Sequence, residues 1–297
     1  MVNSHVMLIG HKAIFDRLMG EAMSGKLHHA QLFLGPEHIG KTRTAILLAI
    51  SLQGGDENVL IKKNILEGVS ADTILLLDKG ENLSIEEIRK VRERASQSHN
   101  SPYLIVIIEN LGRMKSEAMN ALLKSLEEPN PDIIFFLTAN NEDDVLPTIR
   151  SRCTVTRFQT VADNFMREAC DGHVQTENLL FFAMGRPGKL VRLMEDPAYF
   201  EAHQSILSDL LVFLESPSAP GAFELTRKYE DSLFLPEFLD ILLRQVRAWA
   251  PPATLPQNRA YLDIPEILEQ IEDASQSIRS NVNVRLVLEN LFLFFVP

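Results

Sequence analysis

An eight-residue stretch near the start of the chain has the composition of a phosphate-binding loop. It consists of Gly35-Pro36-Glu37-His38-Ile39-Gly40-Lys41-Thr42 and matches the pattern GxxxxGK[ST]. Glycines in such a loop let the backbone wrap round a phosphate chain, the lysine supplies a positive charge, and the threonine hydroxyl can hold magnesium. The stretch therefore predicts a site for ATP or ADP with Mg²⁺, in which the binding residues are Gly35, Gly40, Lys41 and Thr42.

Two side chains inside this loop oppose nucleotide binding. His38 stands at an interior position where related loops usually carry glycine, and a side chain there costs strain if the backbone needs a positive φ. Glu37 brings a negative charge towards any bound phosphate. We therefore expect the nucleotide to bind weakly or only as a structural element.

Two later apolar runs end in polar residues that belong to the same predicted site. Glu109 and Asn110 follow one run, at the place where a phosphate-loop ATPase needs a carboxylate for magnesium and a second one to activate water. Glu109 can reach magnesium through water, but Asn110 is neutral and cannot act as a general base. The alternative is a strand end whose chemistry has lapsed. Asn140 follows the next run and is placed to orient a terminal phosphate, although asparagine is also a common turn residue.

The sequence around these candidates predicts alternating strands and helices. Continuous rather than alternating apolarity is typical of parallel strands covered on both faces. Four such runs occur, at Gln31–Leu34, Thr73–Leu77, Leu104–Ile108 and Ile133–Leu137. Ser84 with Glu87 predicts a capping box at the start of one helix between them, and Ser116 is predicted to cap another. This order predicts an α/β core with a doubly wound parallel sheet flanked by helices.

From about Asp163 onward the strand signals disappear and the pattern predicts helices. Phe234–Trp249 and Val284–Phe294 are strongly apolar along one side, which is typical of helices that fill a core. The run Leu291–Phe295 is apolar enough to indicate burial against partner subunits as well. The second half of the chain is therefore predicted to be all-α.

Composition excludes several classes of protein. The chain has 297 residues and a formal net charge of −11, so any DNA contact must come from a local patch or from partners. Its two cysteines are too few for a disulfide framework or a four-thiolate zinc site, and we predict no bound metal other than magnesium. No apolar run approaches the roughly 20 residues of a membrane span, and the N-terminal residues lack the order of a signal peptide. We therefore expect a cytoplasmic protein without a membrane partner.

One further stretch, Thr148-Ile149-Arg150-Ser151-Arg152-Cys153, contains a Ser-Arg-Cys signature. The chain resembles the AAA+ clamp-loader subunits of bacterial DNA polymerase III. This signature carries the resemblance together with the loop at 35–42, Leu123–Pro129 and Ile9-Gly10-His11. Within that family, Ala183–Leu190 and Asn281–Glu289 are similar to the delta-prime subunit.

The resemblance implies both a domain organisation and a role. It implies an AAA+ core at 1–160, a helical lid at 161–204 and a helical collar at 205–297 that joins gamma/tau and delta subunits in a ring of five. It also implies that the complex loads a sliding clamp on primed DNA, and that Arg152 acts in trans on the ATP of the neighbouring subunit.

Three features depart from the active members of that family. No cysteine lies between Thr42 and Asp72, so the four-cysteine zinc module of many relatives is absent. The active subunits carry an Asp-Glu pair where this chain has Glu109-Asn110, and an arginine at the position that matches Gly188. Our leading hypothesis is therefore a scaffold subunit with little or no ATPase activity of its own, in which Arg152 serves a neighbour.

Two alternatives remain open at the level of sequence. The first is an active ATPase, either a gamma/tau-like motor subunit or a stand-alone AAA+ protein, and the intact GxxxxGKT pattern favours it. The second is a nucleic-acid binder that acts alone, which the negative net charge and the lack of a basic run disfavour. Asn110 is the residue that separates the leading hypothesis from the first alternative.

Overall fold

The structure, a computed structural model, describes residues 8–249 except 96, 98 and 129, and residues 263–296 except 281. Pro129 and Asn281, which contribute to the family resemblance, lie outside the described residues. The described chain divides into two compact units. The first contains the described residues of Met1–Val174 together with Gly185–Lys189, and the second contains Gln175–Met184 and the described residues of Leu190–Pro297. The division into a core, a lid and a collar stays a prediction.

The first unit is built on one five-stranded sheet. Its strands are β1 (Ala30–Leu34), β2 (Thr73–Leu76), β3 (Leu104–Ile108), β4 (Ile133–Ala139) and β5 (Thr154–Arg157). Their spatial order is β2-β3-β4-β1-β5 and every neighbouring pair is parallel. The predicted parallel α/β core is therefore confirmed, and its four apolar runs are β1 to β4. β5 was not predicted, because only one of its four residues is buried and no continuous apolar run marks it.

In the described part of the first unit, seven complete α-helices accompany the sheet, and successive residues of a strand point to its opposite faces. They are α1 (Lys12–Met23), α2 (Lys41–Leu52), α3 (Val59–Leu66), α4 (Ile85–Ala95), α5 (Ser116–Glu127), α6 (Pro147–Arg150) and α7 (Asp163–Ala169). Leu32 and Phe135 pack into one buried cluster with residues of α4 and α5. Phe33 and Phe136 pack into the other cluster, with residues of α1 and α2. Burial on both faces explains why the central strands carry unbroken apolar runs.

The two predicted helix caps have different outcomes. Ser84 precedes α4, its hydroxyl accepts a hydrogen bond from the backbone N–H of Glu87, and the Glu87 carboxylate accepts one from the backbone N–H of Ser84 at 2.8 Å. This is the predicted capping box. The prediction for Ser116 is wrong, because α5 begins at Ser116 itself and its N-cap is Lys115, which makes no side-chain capping bond. Met114, two residues before the start of α5, forms a parallel bridge with Leu83.

The described residues of the second unit form helices and the turns that join them, and none of them forms a strand. Its helices are α8 (Thr176–Ala183), α10 (Pro197–Glu215), α11 (Ala219–Tyr229), α12 (Leu235–Arg247), α13 (Ile264–Arg279) and α14 (Val284–Leu293), while α9 (Pro187–Glu195) continues from the first unit. Phe292 lies at the centre of its core, with its ring 5.4 Å from that of Phe213 and 5.7 Å from that of Phe238. The prediction of an all-α second half is confirmed for these residues.

Candidate functional site

The backbone of the loop between β1 and α2 requires glycine at two positions, Gly35 and Gly40. Gly40 has a φ of 103°, a conformation that side chains rarely adopt. A Cβ atom at Gly35 would lie 2.4 Å from the carbonyl oxygen of Phe158. His38 also has a positive φ, of 59°, which is the condition under which the sequence predicts strain at this position. The imidazole of His11 contacts the loop, with its Nε2 atom 3.0 Å from the carbonyl oxygen of Ile39.

Lys41, the first residue of α2, is almost fully buried and is held by three oxygen atoms. Its Nζ atom donates to the carbonyl oxygens of Gly35 at 2.5 Å and Pro36 at 2.7 Å, and to Oδ1 of Asn140 at 3.1 Å. Burial lowers the pKa of Lys41 to about 8, although the charge of Glu37, followed by those of Glu109 and Asp144, acts to raise it. An ammonium group has three protons, and the structure supplies three acceptors for them.

Asn140 connects this lysine to the carboxylate inside the loop. It follows β4 directly, and its Nδ2 atom donates to Oε1 of Glu37 at 2.9 Å while its Oδ1 atom accepts from Lys41. The amide thus uses one donor and one acceptor to join two groups that are four residues apart in the loop. The structure brings together the predicted residues Lys41 and Asn140, and it adds Glu37, which the sequence had marked only as an obstacle.

Thr42 and Glu109 form a second contact in the same site. The Oγ1 atom of Thr42 donates to Oε1 of Glu109 at 2.6 Å, and Oε2 of Glu109 accepts from the backbone N–H of Asp78 at 3.0 Å. Glu109 lies directly after β3, and Asp78 lies two residues after β2. A hydroxyl and a carboxylate at this distance are the kind of oxygen ligands that Mg²⁺ takes together with substrate phosphates. Here they bind each other.

Asn110 is fixed by partners that the sequence did not reveal. Its Nδ2 atom donates to Oδ2 of Asp78 at 2.6 Å, and its backbone N–H donates to Oγ1 of Thr138 at 2.9 Å. Its φ of 57° lies in the left-handed region, which asparagine tolerates better than most residues. Burial acts to raise the pKa of Asp78, but the hydrogen bonds from Asn110 and Gly80 and the charge of Arg113, 3.4 Å away, hold it below its ordinary value.

Asp78 is therefore the functional-site residue that sequence reasoning missed. An acidic residue directly after the second apolar run was a signal that could have found it. It cannot replace the missing general base, because a carboxylate with a lowered pKa and two bound donors is a poor proton acceptor.

Gly188 packs against the phosphate loop. Its backbone N–H donates to the carbonyl oxygen of His38 at 2.7 Å, and a Cβ atom built on it would lie 2.9 Å from the same oxygen. A longer side chain at this position would have to displace the loop backbone. This close approach explains why the position takes a glycine in this chain.

Arg152 lies apart from these groups, in the connection between α6 and β5. Its Nη2 atom is 2.7 Å from Oε1 of Glu127 and its Nη1 atom donates to the carbonyl oxygen of Thr148 at 2.9 Å. More than a third of the side chain is exposed. None of these partners belongs to the network around Lys41, so the structure does not bring Arg152 into the site of its own chain's phosphate loop.

The described residues outside this network show neither a metal centre nor a reactive thiol. Within them, no group of three or more His, Cys, Asp and Glu side chains is arranged to hold a metal ion. Burial raises the pKa of the Cys153 thiol to about 12 and also raises that of Cys170, which is typical of inert packing cysteines. None of the helices in this part of the chain combines the length and apolarity needed to cross a membrane.

These groups define the class of the protein. A parallel sheet in the order β2-β3-β4-β1-β5, a GxxxxGKT loop between β1 and α2, and polar residues at the ends of β3 and β4 are the arrangement of an AAA+ nucleotide-binding core. Residues 10–162, a little more than half of the chain, match the profile of the family described as DNA polymerase III, delta subunit. The chain belongs to this family of clamp-loader subunits.

Individual relatives agree with this assignment. The chain is 32% identical over 164 residues to the DNA polymerase III subunit gamma of Buchnera aphidicola subsp. Acyrthosiphon pisum. This match covers 52% of this chain and 45% of that protein. It is 28% identical to the same subunit from the subspecies Schizaphis graminum, over 74% of this chain and 65% of that protein. The chain thus spans less than two thirds of the length of these relatives.

A solved structure is similar over a longer stretch. It is that of a DNA polymerase III gamma subunit-related protein from Thermotoga maritima, with 19% identity, 94% of this chain and 98% of that chain covered, and a TM-score of 0.49.

Proposed function

We propose that this chain is a delta-prime-like subunit of the DNA polymerase III clamp loader. In this role it contributes little or no ATPase activity of its own, helps to build the ring, and supplies Arg152 to the ATP site of a neighbouring subunit. The observation that carries the proposal is Asn110, which stands where an ATPase needs a general base and whose side chain is bound to Asp78.

The geometry of Arg152 supports a role in trans. A guanidinium can stabilise negative charge that develops on a γ-phosphate, and an arginine that serves a neighbour must be at the surface of its own chain. Arg152 is partly exposed and is the arginine of the Ser-Arg-Cys signature. Its contacts are ones that an incoming phosphate could replace, since its partner Glu127 is exposed. Ion pairs of this kind contribute only about 0–1 kcal/mol and are readily exchanged.

The second unit supports assembly through an exposed apolar strip on α14. Leu288, Leu291 and Phe292 are buried within the unit, whereas Leu286, Leu293 and Phe294 are between 41% and 58% exposed. Leu293 and Phe294, the C-cap residue, follow Leu286 by seven and eight positions, so all three lie on one side of the helix. We propose that this face packs against gamma/tau and delta subunits, and that the sliding clamp and primed DNA are reached through the complex.

The proposal is tested by reconstitution. The purified chain is mixed with gamma/tau and delta subunits, and assembly and DNA-stimulated ATP turnover are measured for the wild type, Arg152→Ala and Arg157→Ala. Arg157 is the matched control, because it is also exposed and also paired with a glutamate, Glu142. We expect all three to assemble and only Arg152→Ala to lose turnover. Equal turnover in the three complexes would refute the trans role.

The second candidate function is a gamma/tau-like ATPase. It is favoured by the GxxxxGKT pattern and by the relatives named as gamma subunits. Under this alternative, the isolated chain hydrolyses ATP above background and Lys41→Ala abolishes that activity. We expect turnover at background for both proteins.

A further inference from the structure

The phosphate loop of this protein contains an anionic group of its own. Oε1 of Glu37 accepts from Asn140 at 2.9 Å, and Asn140 in turn accepts from the ammonium group of Lys41 at 3.1 Å. The chain Glu37–Asn140–Lys41 therefore runs from a carboxylate through an amide to a buried cation. In a nucleotide-bound loop, a phosphate oxygen is the anion that such an amide and such a lysine face.

The electrostatics of Lys41 agree with this substitution. Burial is the dominant influence on its pKa and destabilises the charged form, while Glu37 is the first among the charges that stabilise it. The Nζ atom is also fully supplied with acceptors by Gly35, Pro36 and Asn140. The positive charge of Lys41 is thus balanced by Glu37, and its three protons are hydrogen-bonded, without any contribution from a phosphate.

Two further contacts hold the rest of the loop in the same closed arrangement. The Thr42 hydroxyl donates to Glu109 at 2.6 Å, and the carbonyl oxygen of His38 accepts from Gly188 at 2.7 Å. Neither contact adds a charge inside the loop itself. Glu37 differs because it adds a full negative charge at the place where a phosphate chain would have to enter. In this conformation, the phosphates of a nucleoside triphosphate would meet the carboxylate of Glu37 and the internal partners of Lys41.

From these contacts we infer that Glu37 is an internal occupant of the anion site, which holds the loop in its folded shape and excludes nucleoside di- and triphosphates. The inference rests on the proposed function, since a subunit that serves its neighbour in trans does not need to exchange nucleotide itself. It assigns to Glu37 a role in selectivity: its charge, not the loss of any binding residue, keeps the site closed.

The test is nucleotide binding by the isolated full-length chain. Fluorescent ATP and ADP analogues are titrated with MgCl₂ into the wild type, Glu37→Gln and Glu37→Ala. Glu57→Gln is the matched control, because Glu57 is exposed in another loop of the same unit. Glu37→Gln keeps an oxygen acceptor for Asn140 and removes only the charge. We expect both Glu37 variants to bind at least about tenfold more tightly than the wild type, and Glu57→Gln to be unchanged.

A double variant shows where the gained binding occurs. Adding Lys41→Ala to Glu37→Gln should return the affinity to that of the wild type, because the gain depends on the lysine. Thermal melting of each variant confirms that it is folded. The inference is overturned if neither Glu37 variant gains affinity, if the wild type already binds as tightly as they do, or if the gain persists without Lys41. These results are distinct from failure of the proposed function, which is judged by turnover in the assembled complex.

Discussion

The phosphate loop and the Arg152 region of the same unit contrast in how their charged groups are satisfied. At the loop, Lys41 is buried and bound by oxygen atoms from three residues of its own chain. At the other region, Arg152 is partly exposed and is held by one surface ion pair and a backbone carbonyl. A phosphate could reach Lys41 only by displacing these internal hydrogen bonds. Arg152, by contrast, can give up its surface ion pair for a new partner. This difference supports the proposal that the subunit acts at a neighbour's ATP site and not through its own loop.

The largest expected effect concerns the shape of the group at position 152. Arg152→Lys keeps the positive charge but loses the planar fork that can bind phosphate oxygens in pairs. We expect the turnover of the neighbour's site to fall by about 10³-fold, close to the loss in Arg152→Ala, within the range found for arginine fingers. The measurement is single-turnover ATP hydrolysis by the reconstituted complex. Near-normal activity of the lysine variant would show that only charge is required, and would weaken the comparison.

The buried lysine predicts a pH dependence of stability. Burial lowers the pKa of Lys41 from 10.5 to about 8, so between these values the unfolded chain binds a proton that the folded chain has lost. Stability should therefore rise as the pH increases through this window and fall as the pH decreases towards 8, by up to about 3 kcal/mol relative to Lys41→Met. Urea unfolding at pH 7.5 to 10 measures this. Lys26→Met, which alters an exposed lysine, should keep the dependence of the wild type.

The strained backbone of the loop can be tested separately from its charges. Gly40→Ala places a Cβ on a residue with a φ of 103°, and we expect a loss of about 1–3 kcal/mol in the free energy of unfolding. Gly20→Ala is the control, because Gly20 lies inside α1 with open space around its Cβ position, and alanine there should stabilise the helix by about 0.5–1 kcal/mol. Equal effects of the two substitutions would argue against strain in the loop.

The smallest expected effect concerns the ion pair that holds Arg152. Glu127→Ala removes the carboxylate 2.7 Å from the guanidinium, but an exposed pair contributes less than about 1 kcal/mol. We expect the turnover of the complex to change by less than about fivefold, and Glu128→Ala, the adjacent exposed glutamate, to have no effect. A loss as large as that in Arg152→Ala would mean that Glu127 is itself required at the interface.

The sequence predicted the parts of this molecule that depend on local patterns. Four apolar runs became the four strands they indicated, because burial on both faces leaves a continuous signal, and the capping box at Ser84 formed because its two partners are three residues apart. The loop pattern marked His38 as a position of strain only if its φ is positive, and the structure supplies that condition.

The contacts between strand ends could not be predicted in the same way. Asp78 meets Asn110 across 32 residues, and Lys41 meets Asn140 across 99. Residues so far apart in sequence meet only because of the order of the strands in the sheet, and no local pattern specifies that order. The edge strand β5 was missed for a related reason, since it pairs with β1 alone and needs no continuous apolar run.

The central claim is that this subunit acts through Arg152 and not through its own phosphate loop, and one comparison in the reconstituted complex tests it most directly. DNA-stimulated ATP turnover is measured side by side for complexes that contain Lys41→Ala or Arg152→Ala in this chain. We predict turnover near that of the wild type for Lys41→Ala and a large loss for Arg152→Ala, with both complexes fully assembled. A large loss with Lys41→Ala and normal turnover with Arg152→Ala would contradict the claim.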